Sequence, residues 1–336
     1  MQQNKNRVKS SSTPTPGENK MHPPLLHASP ALSQSTSPPL SLRVVTFNIR
    51  YAATSRSSNE KPWSTTFRAQ QQPSLCRAPY LIAQLNQTSS LENSIPIFGL
   101  QEVLHTQLMD IKTGLGPNWA HLGVARDDGA TRGEYSPILY RTDLLRVLYN
   151  ETKWLSPTPD VVSYGWGAGI RRVVTLGVFE QLESGGSEKK KRFLLANTHL
   201  DHASAQARTE GIKVVMARIK AVREIWGGED LGVVLTGDFN SAQGEGAHEF
   251  LKDTGELEEL FDLANKEGKV KGTNRLTFTG FGSGSASGQG SFIDFIWVGL
   301  VRDKKWTVQG YEILGNVVEG VHISDHRAVV GDILLG

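Results

Sequence analysis

The chain has 336 residues, 38% of them hydrophobic and 21% charged, enough for one large buried core and too balanced for a chain disordered throughout. Lys and Arg total 36 against 34 Asp and Glu; residues 1–40 hold a net +3, which leaves −1 over residues 41–336 and excludes a wide basic footprint on duplex DNA. A single cysteine, Cys76, excludes an intrachain disulfide and a cysteine-rich zinc module.

No apolar run reaches the roughly 18 residues of a membrane span, and the N-terminus lacks a signal-peptide apolar region. The expectation is an intracellular protein, cytoplasmic in preference to nuclear, with no membrane span and no disulfide-linked partner.

Residues 1–40 read as a disordered tail. Seven Ser, three Thr and seven Pro fill this stretch, which cannot bury enough apolar surface to offset its ordering entropy. The folded domain is expected over 41–336 and opens on a β-branched strand over 42–49. Further strands are expected over 95–100, 121–125, 137–141, 173–179, 192–197, 232–236, 292–298 and 328–334. Helices are expected over 80–85 and 104–115. A third ends at Gly227-Gly228, its apolar face formed by Ile212, Val215, Met216, Ile219, Val222, Ile225 and Trp226 at 3–4 spacing. Two irregular insertions, 54–72 and 280–290, interrupt the pattern. Many strands with fewer helices imply an α/β fold of two packed sheets with helices outside.

Polar residues recur where these strands end, and strand ends at one edge of a sheet stack form a natural cleft. Asn48 closes the first strand, Glu102 follows 95–101, and His199 ends the strand at 192. Asp238 and Asn240 follow Val233-Val234-Leu235-Thr236-Gly237. Asp294 lies inside an apolar run and needs a partner, because an unpaired buried charge costs several kcal/mol. If the backbone stays extended, Asp238 and Asn240 share a face; the alternative is an Asx turn. Glu102 either faces a site or caps the following helix. His199 with His202 makes a poor metal pair, and a phosphate-facing imidazole suits His199 better.

Taken in order, the set resembles the endonuclease/exonuclease/phosphatase superfamily of metal-dependent phosphodiesterases, over about residues 42–335. The resemblance rests on Thr46-Phe47-Asn48-Ile49-Arg50, Gly99-Leu100-Gln101-Glu102-Val103, Asn197-Thr198-His199, Thr236-Gly237-Asp238-Phe239-Asn240, Ile293-Asp294-Phe295-Ile296 and Ser324-Asp325-His326. Arg126-Asp127-Asp128-Gly129, Gly133-Glu134-Tyr135-Ser136-Pro137-Ile138-Leu139-Tyr140, Thr277-Phe278-Thr279-Gly280-Phe281 and His199-Leu200-Asp201-His202 are similar to a branch of uncharacterised hydrolases near the deadenylases.

The resemblance implies a four-layer α/β sandwich, two packed mixed β-sheets flanked by helices. It implies Mg²⁺, with Mn²⁺ able to substitute, held by Glu102 with Asn48 and Asp325 close by. His326 oriented by Asp294 would form a dyad at the scissile phosphate, and Asp238 would serve as base or acid. Asn240 and His199 would hold phosphate oxygens. Arg172 is a candidate substrate contact, with a surface salt bridge as the alternative. Trp63, at the head of an aromatic and basic stretch over 63–68, lies either over the cleft or in the core. The activity implied is hydrolysis of a phosphodiester by in-line attack of water, most simply a 3′–5′ exonuclease on single-stranded RNA. The alternatives are hydrolysis of a small phosphodiester or phosphorylated metabolite, and a catalytically silent binding module on the same fold.

Overall fold

The computed structural model describes residues 39–64, 75–91, 93–182, 190–282, 290–299 and 306–336. Nearly all of the expected tail, the end of the first irregular insertion from residue 65 on, and residues 283–289 of the second lie outside the described residues. The fold belongs to Ser37–Gly336.

The elements follow in chain order. They begin with β1 (Leu40–Asn48), α1 (Ala78–Ser89), β2 (Ile95–Gln101), α2 (His105–Leu115), β3 (Trp119–Leu122), β4 (Ile138–Arg141), β5 (Leu145–Trp154), β6 (Val173–Gln181) and β7 (Arg192–His199). Next come α3 (Ala205–Trp226), β8 (Gly232–Asp238), α4 (Gly246–Thr254), β9 (Glu258–Glu259), α5 (Leu260–Lys266), β10 (Val270–Lys271) and β11 (Asp294–Gly299). Four strands close the chain: β12 (Trp306–Ile313), β13 (Val317–Val318), β14 (Val321–His322) and β15 (Val329–Leu335).

Seven strands form one mixed sheet in the order β10-β12-β15-β1-β2-β4-β3, and six form the other, β5-β6-β7-β8-β11-β9. The expected four-layer α/β sandwich is the observed architecture. Between the sheets lie Leu42, Val44, Ile97, Phe193, Leu195, Val234 and Ile296. The outer face of the first sheet, with Val45, Phe47, Phe98 and Leu100, packs against Leu81 and Leu85 of α1 and Leu108 and Ile111 of α2. The outer face of the second, with Leu194, Ala196, Val233, Leu235, Phe295 and Trp297, packs against Ile212, Val215, Ile219 and Val222 of α3. These strands are apolar on both faces because both faces are covered.

Alternation along each strand then decides where the site residues point. Val44 and Val234 face the opposite sheet, so Asn48 and Asp238, four residues further on, face it too. The same step of two carries Leu195 to Asn197 and His199, and relates Ile296 to Asp294. β1 runs parallel to β2 with Asn48 beside Gln101, and β7 parallel to β8 with His199 beside Asp238. β11 runs antiparallel to β8 with Asp294 opposite Asp238. One edge of the sandwich therefore collects the ends of β1, β2, β7 and β8 and the start of β11.

Some expectations shift. β3 covers Trp119–Leu122 instead of 121–125, because Gly123 has a φ of 107° and ends the extended backbone. Ile225, assigned to the buried face of α3, is 74% exposed, because at about 100° per residue it falls well round the helix from Ile219 and Trp226, and Trp226 still packs against Tyr149. The helix expected over 80–85 runs longer, Ala78–Ser89, with Pro79 tolerated in its first turn.

Candidate active site

At that edge lies a cavity of about 740 Å³ whose lining includes Arg50, Glu102, Arg126, Glu134, Arg172, His199, His202, Asp238, Asn240, Phe278, Asp325 and His326. Its floor is one hydrogen-bonded cluster centred on Asp238. Oδ2 of Asp238 accepts from Asn48 Nδ2 at 2.9 Å and lies 3.3 Å from His199 Nε2 and 3.7 Å from His326 Nε2. Oδ1 accepts the Asn240 backbone N–H at 2.9 Å.

The other face of the His326 ring is anchored by Nδ1 to Asp294 Oδ2 at 2.8 Å. Asp294 has its expected partner, and its other oxygen is buried without one. His326 also packs against Phe278, ring centroids 5.0 Å apart. Backbone bonds hold that contact: Thr279 N–H donates to Asp325 O and Arg327 N–H to Thr277 O.

Burial and charge set the protonation of this cluster. Burial, then the neighbouring Asp294 carboxylate, pushes Asp238 up to about 7 against the opposing pull of His326, Asn48 and the Asn240 amide. Burial would lower His326, but Asp294 and Asp238 outweigh it and raise the imidazole to about 10. His326 is thus an imidazolium between two carboxylates at neutral pH. His199 is held well below its ordinary range by burial and then by Arg172 and Arg126, so it is neutral. Its Nε2 lies 3.0 Å from Asn240 Nδ2 as well as near Asp238 Oδ2, and its Nδ1 is buried without a protein partner.

Glu102 sits just past β2 with a φ of 59°. It is not the cap of α2, a position held by Leu104 with the Gln107 side chain reaching back. Its Oε1 accepts from Asn48 Nδ2 at 3.1 Å and its Oε2 from the Tyr51 N–H at 3.1 Å. Burial would raise Glu102; the Asn48 bond, His326, the Tyr51 amide and Arg50 outweigh it and keep the carboxylate ionised. Asp325 is raised, first by burial and then by the charge of Glu102, with His326 and Arg50 opposing.

Two carboxylates that share a cavity wall and repel each other suit a hard divalent cation that keeps several waters. Asn48 lies where the resemblance places it, beside both carboxylates: its NH₂ bridges Glu102 and Asp238, and its Oδ1 accepts the Arg50 N–H at 3.0 Å with one of its two lone pairs. A second set with metal-binding spacing is Asp238, Asp294 and His326, one ligand atom from each lying within 4.8 Å.

Asn240 departs from the extended alternative. Its φ is +46° and its amide closes an Asx turn on Asp238, which swings Nδ2 back toward His199. Arg172 is buried, not at the surface, and its Nη2 donates to His202 Nδ1 at 3.2 Å. Trp63 takes the core alternative: it is half-buried against the outer cluster of the first sheet, its ring over Arg77 and its Nε1 on Asp110 Oδ2; residues 65–68 of that stretch lie outside the described residues.

Among cavity residues not singled out as site residues are Arg50, whose Nε is held by the buried Glu60 at 3.2 Å, and the bidentate pair Arg126–Glu134 at 2.7 and 2.8 Å. Arg50 closes the first motif, and Arg126 and Glu134 stand in the stretches similar to the hydrolase branch; neither position alone signals a wall of the cavity.

A match to the Endonuclease/Exonuclease/phosphatase family spans residues 45–326, from within β1 to the dyad histidine. The chain belongs to the endonuclease/exonuclease/phosphatase family. Members of the family are hydrolases of phosphoester bonds, generally dependent on a divalent metal. No curated protein sequence matches the chain.

Among solved structures, an endonuclease/exonuclease/phosphatase from Bacteroides vulgatus is 32% identical, with a TM-score of 0.70 over 88% of this chain and 99% of that one. A mannosyl-6-phosphatase from Bacteroides thetaiotaomicron is 29% identical, with a TM-score of 0.68 over 87% of this chain and 99% of that one. The human Nocturnin catalytic domain, 15% identical, shares the fold with a TM-score of 0.59 over 88% of this chain and 96% of that one. No helix among the described residues of this family member is long and apolar enough to cross a membrane.

Proposed function

We propose that the chain is a Mg²⁺-dependent phosphoester hydrolase acting on a small phosphorylated molecule by in-line attack of water. The observation that carries the chemistry is the convergence on Asp238 Oδ2 of Asn48 Nδ2, His199 Nε2 and His326 Nε2 within 3.7 Å. A carboxylate near pH 7, flanked by a neutral and a charged imidazole, suits proton transfer at neutral pH.

Glu102 and Asp325 would hold the cation, because both line the open cavity where waters can complete an oxygen shell. The triad of Asp238, Asp294 and His326 serves less well, since the His326 ring already takes Asp294 Oδ2. When bound, a divalent cation supplies Lewis-acid polarisation of a phosphoryl oxygen. Asp238 would receive the proton of the attacking water on Oδ2, the bond from phosphorus to the ester oxygen would break, and that oxygen would leave with the Nε2 proton of the His326 imidazolium. Asn240 Nδ2 already faces His199 Nε2 and Leu200 O, so Asn240 and His199 would reach phosphate oxygens only by exchanging those partners. Asp294 fixes the ring of His326, and Asn48 fixes Glu102 and Asp238 relative to each other.

The cavity supports a small substrate. Its volume suits a compact ligand, and its far wall is polar, with Arg126, Glu134, Arg172 and His202. Single-stranded nucleic acid calls for aromatic platforms; among the described residues, Tyr51 and Phe278 are the aromatic side chains other than histidine that line it. The mannosyl-6-phosphatase relative favours the same reading. A hexose 6-phosphate, p-nitrophenyl phosphate and a 5′-labelled oligoadenylate, each with Mg²⁺ and with a chelator, form the test. Chelator-sensitive release of phosphate from the sugar, with the oligoadenylate intact, is expected; stepwise shortening of the oligoadenylate would instead make this an exonuclease. Asp238→Asn should fold normally and lose about a hundredfold or more in kcat, and unchanged turnover would overturn the assigned roles.

A further inference from the structure

Arg77 is fully buried beside the site without lining the cavity. It stands just before α1 and directs its guanidinium at four backbone carbonyls. Nη1 donates to Ile49 O at 2.7 Å and Ile323 O at 3.2 Å; Nη2 donates to Arg50 O at 2.6 Å and Tyr51 O at 3.1 Å. Burial lowers it to about 10, with Glu60, Asp325 and Glu102 pulling the other way, so the group is a cation at neutral pH. A buried guanidinium bonded to carbonyls alone is a costly arrangement, and the fixed geometry it imposes lies at the site.

The peptide units it grips are those that hold the site carboxylates. The 49–50 unit gives its oxygen to Arg77 and its N–H to Asn48 Oδ1. The 50–51 unit gives its oxygen to Arg77 and its N–H to Glu102 Oε2. The 51–52 unit gives its oxygen to Arg77 and its N–H to Gln107 Oε1, and Gln107 Nε2 returns to Arg50 O at 3.0 Å. Three successive oxygens converge on one group because Arg50 is left-handed, φ 59°. The fourth carbonyl, Ile323 O, precedes Ser324, whose hydroxyl donates to Asn48 O at 2.7 Å and lies 3.3 Å from Asp325 Oδ1. A donor on the oxygen of a peptide strengthens the N–H at its other end. The guanidinium therefore acts on Glu102 through one peptide bond and on Asp325 through one residue.

We infer that Arg77 is a positioning residue that fixes Glu102 and Asp325 relative to each other for the divalent cation, by clamping the turn after β1 to the segment before His326. This rests on the reading of Glu102 and Asp325 as cation ligands. Arg77→Lys keeps the charge and loses the planar fork that reaches four oxygens.

Mn²⁺ binding, measured by the loss of free-ion paramagnetic resonance signal, and steady-state kinetics with Mg²⁺ form the test. Residues that orient metal ligands from behind typically cost about 10–100-fold in metal affinity or activity, so R77K should bind Mn²⁺ about tenfold more weakly and lose kcat with KM nearly unchanged. Ile219→Ala, in the buried face of α3, is a comparably destabilised control that should bind Mn²⁺ as wild type does. Wild-type Mn²⁺ affinity in R77K, or the same loss in I219A, overturns the inference. If R77K does not fold, Gln107→Met decides, because it releases the same turn from its other side. Weaker Mn²⁺ binding then supports the inference and unchanged binding overturns it. Glu102→Gln separates the two readings: where it weakens Mn²⁺ binding and R77K does not, only the role of Arg77 falls; where it changes nothing, the ligand assignment falls and this inference with it.

Discussion

Three residues that are not glycine and that hold the site in place have left-handed backbones: Arg50, Glu102 and Asn240. Each such residue costs about 1–2 kcal/mol, and each turns a strand end so that a side chain or a carbonyl meets the cavity floor. A different residue carries a test of stability. His121 on β3 is lowered from its ordinary 6.5 to about 4, by burial first and then by Lys112 and His105. Below pH 6.5 the unfolded histidine takes a proton that the folded one refuses until about pH 4. Its contribution is therefore complete above 6.5 and is lost progressively as pH falls from 6.5 to 4. The urea midpoint of His121→Gln, compared with wild type at pH 7, 5.5 and 4.5, should fall less steeply with acid. Parallel slopes would show that His121 is not protonated on unfolding. Of the residues at the site, Asn48, His199, Asp238 and Asp294 were legible because strand alternation aims them, whereas Glu102 and Asn240 are aimed by left-handed backbones that alternation does not foresee. Arg77 was not, since its four acceptors come from two segments far from it in sequence and nothing local marks it.

At the level of elements, the sheets are joined beneath the cavity by a polar stitch. Gln101 Nε2 donates to Thr46 Oγ1 at 3.0 Å and to Asn197 Oδ1 at 2.8 Å; Thr236 Oγ1 donates to the same oxygen at 3.0 Å. Asn197 Nδ2 crosses to Leu100 O and Pro137 O at 2.8 and 3.0 Å. Gly99 makes room for this, since a Cβ there would fall 2.7 Å from Asn197 Oδ1 and overlap Thr236 Oγ1. Gly99→Ala should cost about 1–3 kcal/mol, read from chemical denaturation, and should reduce kcat because Asn197 leads straight to His199. A variant with wild-type midpoint and kcat would show that the stitch gives way freely. The strands with apolar residues on both faces were legible. β5, α4 and β12 were not expected. β5 has a register shift between Val147 and Tyr149 that breaks its alternation. β12 has one between Val308 and Gly310. α4 is nine residues long, opens on Gly246 and has no side-chain cap, so its pattern is too brief to separate helix from loop.

Across the whole molecule, charge separates the substrate classes. Residues 41–336 carry a net −1. The cations lining the cavity are matched by Glu102, Glu134, Asp238, Glu245 and Asp325 around them. A protein that grips 6–10 phosphates of a duplex loses about 10³–10⁵ in affinity between 50 and 200 mM salt. A substrate with one phosphoryl group offers at most one or two such contacts, so kcat/KM should change by no more than about tenfold over that range. The measurement is kcat/KM for a hexose 6-phosphate at fixed free Mg²⁺ and rising KCl. A steep fall, tracking that of the oligoadenylate under the same salts, would mean that the substrate reaches charged surface beyond the cavity and would return a nucleic acid strand to first place. A shallow slope for the sugar phosphate together with no measurable oligoadenylate turnover would tie specificity to the polar wall of Arg126, Glu134, Arg172 and His202.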